Sequence, residues 1–357
     1  MPEKDARNGV AIVATFPPRK GGVSVQAALL SSYLETSGIR VVWIDTDIPG
    51  LRKPVLRWLM VVMQPLNVLR KLIVQRGDYR VVHFLAASYW GFMPSVVGVP
   101  LCRMMRKRSV VSYVGGLGPL FVDRFPWLTK PIFRRASATT VCSVELRDEF
   151  ERRGISGELV NNTFESELFT PGTRGSVKRK LVWTRSFEHT YDPMTAVRAF
   201  EIVKTKYPDA SLVMTSDGSL ALEVRDYIRE HNIRDISLPG RVPKEEVARL
   251  MQEADICINT SRHDGTPTAL LEAAGTALPI VTTPVGGIPT VFEDGVSAVM
   301  VPVGDAEAMA KAVIDLMENP SRADELGRAA REVALSHTWE RLEKTWLRIY
   351  GFSSGGD

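Results

Sequence analysis

The chain has 357 residues, 45% hydrophobic and 24% charged, with a formal net charge of +4. That is the balance of a globular protein long enough for two domains, and it excludes a disordered, collagen-like or coiled-coil chain. The charge is uneven: residues 1–170 hold 23 Lys and Arg against 14 Asp and Glu, whereas residues 171–357 hold 22 against 27. A basic front half predicts an anionic surface or ligand beside it; nucleic acid is excluded for want of any zinc-ligand spacing, RNA-recognition motif or basic-aromatic repeat.

In chain order, short apolar runs at 10–16, 40–45, 80–85, 110–113, 138–141 and 158–161 read as strands, and helical spacing fills 23–35, 54–75, 89–107 and 144–153. Residues 164–180 lose the periodicity in Thr, Pro, Gly, Ser and Lys and read as a linker. Strands then resume at 181–183, 211–214, 236–238, 256–259, 280–283 and 298–301, with helices at 193–206, 220–231, 244–253 and 268–275 and a helical tail from Asp305 to Tyr350. Strand-helix alternation with apolar strands predicts parallel sheets covered on both faces, here two doubly wound α/β domains. The expected bounds are 1–165 for a first domain, 166–335 for a second and 336–357 for a C-terminal helix packing back on the first. Ligands of such sheets bind beyond the carboxyl ends of the strands. No apolar run approaches the roughly 20 residues that span a bilayer, and the N-terminus shows no secretory pattern. Cys102, Cys142 and Cys257, odd in number and set in apolar runs, are expected as buried thiols. The expected location is therefore the cytoplasm.

The most informative stretch is 259–289. An apolar strand runs into a polar loop, Thr266 is placed to cap a helix, and Pro267 occupies its first position. The free N–H groups of Thr268, Ala269 and Leu270, at the positive end of the helix dipole, suit a phosphate. Asp264 precedes that helix and Glu272 lies about one turn into it. Two acceptors at this offset suit a sugar nucleotide, one for hydroxyls of the sugar and one for the ribose diol. Taken alone, they would sooner be a capping carboxylate and a solvated helix Glu; the surrounding pattern favours the ligand reading.

The segment resembles the retaining glycosyltransferases of family 4, which have the GT-B fold. Asp264, Gly265, Glu272, Gly275, Pro279, the strand 280–283, Gly286 with Gly287, and Asp294 with Gly295 match that family's signature in order, with Asp264 where the family usually has Glu. The resemblance implies two Rossmann-like domains facing across a cleft. It also implies that Glu272 holds the donor ribose and that Asp264 contacts the donor sugar. Arg185 matches the arginine that neutralises the diphosphate, and Tyr191 stands where a Lys is usual. The backbone of Arg241 and Val242 matches the loop that reads the base. Gly21 and Gly22 match the glycine loop after the first strand, where backbone approaches the donor closely. His83 matches a His near the reacting carbon, with packing in the core as its alternative.

The implied enzyme is a retaining, metal-independent hexosyltransferase without a cofactor. Asp45 and Asp47 form the one Asp-x-Asp pair in the sequence, and they lie at the end of the second strand, away from the helix start at Thr268. The expected donor is a UDP-sugar, with a GDP-sugar next, and the expected acceptor a glycan or lipid-linked sugar. A sugar-nucleotide epimerase and a catalytically weak scaffold are the alternatives. Residues 51–80 mix Arg52, Lys53, Arg57, Arg70, Lys71, Arg76 and Arg80 with Trp58, Leu59, Met60, Val61, Val62 and Met63. Such a segment reads as a contact with an anionic membrane or as an ordinary amphipathic helix; a second basic cluster follows at Arg103, Arg106, Lys107 and Arg108.

Overall fold

In the computed structural model, residues 9–16, 22–48, 57–114, 118–172, 179–265 and 268–352 are described, over 57–62 by their backbone alone. Gly21, Thr266 and Pro267 lie outside them, as do the basic residues Arg52 and Lys53. The chain divides into two units, one of residues 1–163 and 339–357, the other of residues 164–338.

The first unit is built on β1 (Val10–Ala14), β2 (Val41–Asp45), β3 (Val81–Ala86), β4 (Arg108–Tyr113), β5 (Ala138–Val141) and β6 (Glu158–Leu159), all parallel, in the order β2-β1-β3-β4-β5-β6. Every residue of β1 and β3 is buried, as a sheet covered on both faces requires. Successive side chains alternate between two cores. Ala11, Val13, Val82 and Phe84 meet α2 (Arg57–Val74), α3 (Met93–Met104), α4 (Gly118–Arg124), α5 (Pro126–Arg135) and α6 (Val144–Arg152). Val10, Ile12, Val81 and Leu85 meet α1 (Gly22–Thr36) and the C-terminal helix Trp339–Tyr350.

Where one helix was expected over 89–107, a 3₁₀ turn, Tyr89–Phe92, leads into α3. The pair α4 and α5 escapes the sequence pattern altogether. Both are short, Pro126 opens the second and Pro131 lies within it, so the punctuation hides the period.

The second unit carries β7 (Lys180–Trp183), β8 (Ser211–Thr215), β9 (Ile236–Gly240), β10 (Ile256–Ile258), β11 (Ile280–Thr282) and β12 (Val299–Met300), again all parallel, in the order β12-β11-β10-β7-β8-β9. Helices α7 (Pro193–Lys206), α8 (Ala221–Glu230), α12 (Ala306–Glu318) and part of α13 (Pro320–Leu335) enclose one core around Trp183 and Phe200. Helices α9 (Lys244–Glu253), α10 (Thr268–Gly275) and α11 (Ile288–Val291) enclose the other with the rest of α13. The start of the expected linker is not loose: Phe164 and Phe169 are fully buried in this second core. Gly275, at the end of α10, is the partner of that anchor. A Cβ there would sit 2.6 Å from the Phe164 ring and 2.8 Å from the Phe169 carbonyl oxygen.

Candidate active site

In the second unit β7 and β10 are neighbours whose onward connections run in opposite directions, to β8 and to β11. Beyond the carboxyl ends of such a pair lies the ligand crevice of an open α/β sheet. The chain leaving β7 brings Arg185, and the chain leaving β10 brings 259–265 and then α10. Here the structure joins Arg185 to Asp264: Nη2 donates to Oδ2 at 2.5 Å, with both side chains nearly enclosed. The ring of Tyr191, rather than its hydroxyl, completes the arrangement, its centroid 4.0 Å from the guanidinium carbon. Arg185 Nε is buried and has no acceptor among the described residues. A buried donor left open this way invites an anionic ligand.

Supporting hydrogen bonds hold this geometry, and sequence reasoning did not single out their donors. Ser261 Oγ lies 2.9 Å from Asn259 Oδ1 and 3.3 Å from Asp264 Oδ2, while Asn259 Nδ2 donates to Thr282 Oγ1 at 2.9 Å. Trp183 Nε1 donates to Thr260 Oγ1, which lies 2.8 Å from the carbonyl oxygens of Tyr191 and Asp192. Asp192 caps α7 and pairs with Arg262 at 2.6 Å. Gly286 clasps the loop from the far side: its φ is +54°, and a Cβ would lie 1.6 Å from the Asp264 carbonyl oxygen. The next amide, Gly287 N–H, donates to Gly265 O at 3.1 Å.

Helix α10 begins at Thr268 and buries Ala269, Leu270 and Glu272. Burial pushes the Glu272 carboxyl up, against the pull of Lys244. The carboxylate is not a solvated helix Glu: Lys244 Nζ lies 3.2 Å from its Oε1 and 2.6 Å from Glu165 Oε2. Neither Lys244 nor Glu165 was picked out by motif. Arg241 is exposed and Val242 half-buried, in the loop from β9 to α9 that ends at Lys244. Among the described residues no group of three or more His, Cys, Asp or Glu is placed to hold a metal.

In the first unit Gly22 opens α1. His83 is fully buried on the face of β3 under the C-terminal helix. Its Nδ1 lies 2.8 Å from Tyr350 Oη and its Nε2 2.6 Å from Ser112 Oγ, and Trp346 packs 5.0 Å away. The cavity it lines with Ser112, Thr140 and Trp346 measures about 40 Å³, room for water rather than a sugar. Both ring nitrogens are thus within hydrogen-bond reach of protein hydroxyls.

Residues 178–319 match the family described as Glycosyl transferases group 1. Over those residues the chain is similar to family 4 of that group. It is 22% identical over 294 residues to glycogen synthase of Mycobacterium tuberculosis, a match spanning 80% of this chain and 70% of that one. Its fold is GT-B. Sucrose-phosphate synthase of Thermosynechococcus elongatus superposes with a TM-score of 0.76 at 17% identity, over 97% of this chain and 98% of the other. HepE of Anabaena, solved with UDP-glucose, superposes with a TM-score of 0.69 at 14% identity, over 96% and 98%. The protein is thus a retaining glycosyltransferase that uses a nucleotide sugar.

Proposed function

We propose that this glycosyltransferase takes a UDP-sugar at the carboxyl end of its second sheet and transfers the sugar to a glycan or lipid-linked acceptor. The observation that carries the reading is the Arg185 guanidinium, fixed by Asp264 and Tyr191 with Nε still open. A planar fork of that kind takes diphosphate oxygens and stabilises the charge that builds as the bond to the sugar breaks. The first amides of α10 add the positive end of the helix. Asp264 serves the donor sugar and Glu272 the ribose diol, and the backbone at Arg241 and Val242 serves the base. The UDP-glucose bound by HepE favours uracil and a hexose. No protein nucleophile is assigned: the departing phosphate oxygen takes the acceptor proton as the acceptor attacks from the same face.

An acceptor carried on a lipid fits the first unit. Between Asp47 and Glu145 the chain has two carboxylates, Asp78 and Asp123. Arg70, Arg103, Arg106, Arg124, Arg134 and Arg135 are exposed there, together with Leu66, Val74, Trp90 and Trp127. Part of the expected basic cluster is spent inside the unit: Lys71 donates to Asp45 O, Lys107 to Tyr79 O and Arg108 to Ile349 O. No helix among the described residues is long and apolar enough to cross a membrane, so the contact would be peripheral.

The donor assignment is tested by calorimetric titration with UDP and GDP. Glu272→Ala is expected to weaken UDP binding by roughly 1.5–3 kcal/mol, the worth of charge-assisted hydrogen bonds, while the circular dichroism spectrum is kept. Unchanged affinity removes the ribose role. At saturating donor, Arg185→Ala should lower turnover by about a hundredfold, and Tyr191→Phe, which keeps the stacked ring, far less. An equal loss in both variants would take the phosphate role away from Arg185.

A further inference from the structure

Lys244 occupies the first position of α9, the end of a helix that disfavours a cation; the two residues after it, Glu245 and Glu246, are what such an end prefers. Its ammonium is drawn instead between two carboxylates from other elements. One is Glu165, in the segment anchored by Phe164 and Phe169; the other is Glu272 of α10. Lys244 Nζ also lies 5.9 Å from the centre of the Phe169 ring. Among the described residues Lys244 is the one cation in ion-pair contact with Glu272. It stands two residues after Val242, so one side chain connects the base-side loop to the ribose-side carboxylate.

We infer that Lys244 is a positioning residue for the nucleotide, holding the Glu272 carboxylate ionised and in place for the ribose. This rests on the ribose role proposed above for Glu272. The electrostatics agree with the geometry. Burial alone would push the Lys244 ammonium down, yet Glu272 and Glu165 outweigh it and hold it above the ordinary lysine range. Four groups reach Glu272: Lys244 from α9 and Arg185 after β7 favour its ionised form, Glu165 opposes it, and Cys257 of β10 is a buried neutral thiol. Remove the ammonium and two carboxylates share a pocket with only the more distant Arg185 in support. Glu272 then keeps its proton to higher pH and loses an acceptor for the diol.

The test is the affinity of the full chain for UDP between pH 6 and 9, expressed as a ratio of variant to wild type so that the ligand's own titration cancels. Lys244→Met is expected to bind about tenfold more weakly near pH 6.5 and to recover toward wild type by pH 9, because each unit below a carboxyl's pKa cuts its ionised fraction tenfold. Lys244→Arg, which keeps the charge, should follow the wild-type profile. Glu165→Gln leaves the ammonium to Glu272 alone and should move the acid limb to lower pH, so the proposal stays testable even where the Met variant does not fold. Glu272→Gln should be weak at every pH. A pH-independent ratio near one for Lys244→Met, or an unmoved acid limb for Glu165→Gln, with Glu272→Gln weakened, overturns the positioning role. Full affinity in Glu272→Gln instead removes the ribose reading itself, and this inference with it.

Discussion

His83 illustrates how a single residue can be placed by its strand and given its character by its surroundings. Alternation along β3 turns it toward the C-terminal helix, where burial pushes its pKa down to about 3. The folded state therefore resists a proton that the unfolded chain accepts near pH 6.5, so the unfolded state binds more protons between those values and stability rises with pH. The contribution is fully present above pH 6.5 and is lost as the pH falls below it. Relative to His83→Gln, the wild type is expected to lose about 2 kcal/mol of unfolding free energy between pH 7.5 and 5.0, read from urea midpoints at the two values. Parallel pH dependences in the two proteins would show that the imidazole is protonated in the folded state. The site residues were legible to different degrees for a related reason. Asp264 and Glu272 stand at a fixed offset around the start of one helix, and Arg185 is reached through the family resemblance. Lys244 and Glu165 are 79 positions apart and meet only through tertiary packing.

At the scale of elements, the loop 259–265 and helix α10 work as one piece because the turn at Gly286 closes over the Asp264 carbonyl. Gly286→Ala would place a methyl group where that oxygen lies and force a left-handed backbone on an L side chain. The expected outcome is a loss of UDP affinity of at least tenfold, since the loop must move and take Asp264 and Arg185 with it. Wild-type affinity and melting temperature in the variant would show that the clasp is dispensable. Element positions were readable where a run of apolar residues met a clear stop: all twelve strands fall on expected runs, with ends that shift by at most two residues in either direction. The α4–α5 pair and the buried start of the linker were not, because proline punctuation and isolated aromatic residues carry no period.

For the molecule as a whole, charge distribution is the property with a measurable consequence. The first unit's helices α2, α3 and α5 contain no carboxylate, and each exposed Lys or Arg near an anionic bilayer is worth about 1 kcal/mol, weakened by salt. Sedimentation with vesicles rich in phosphatidylglycerol should carry the protein down at low salt, and neutral phosphatidylcholine vesicles should not. Replacing Arg70, Arg103, Arg106, Arg124 and Arg134 by Gln should abolish the difference. Equal and negligible binding to both vesicle types would point to a water-borne acceptor and leave the donor site untouched.

Local sequence was enough for the two parallel-sheet units, the order of their strands along the chain and the placing of Asp264 and Glu272 around one helix start, because hydrophobic period, caps and glycine turns are local properties of neighbouring residues. Tertiary structure alone decided which strands became neighbours, and so which loops met at the β7–β10 crevice. It also decided that Tyr191 stacks on Arg185, that His83 has both nitrogens engaged, and that Lys244 bridges Glu165 and Glu272. Those contacts join residues far apart in the chain, and packing brings them together where no local pattern records the distance.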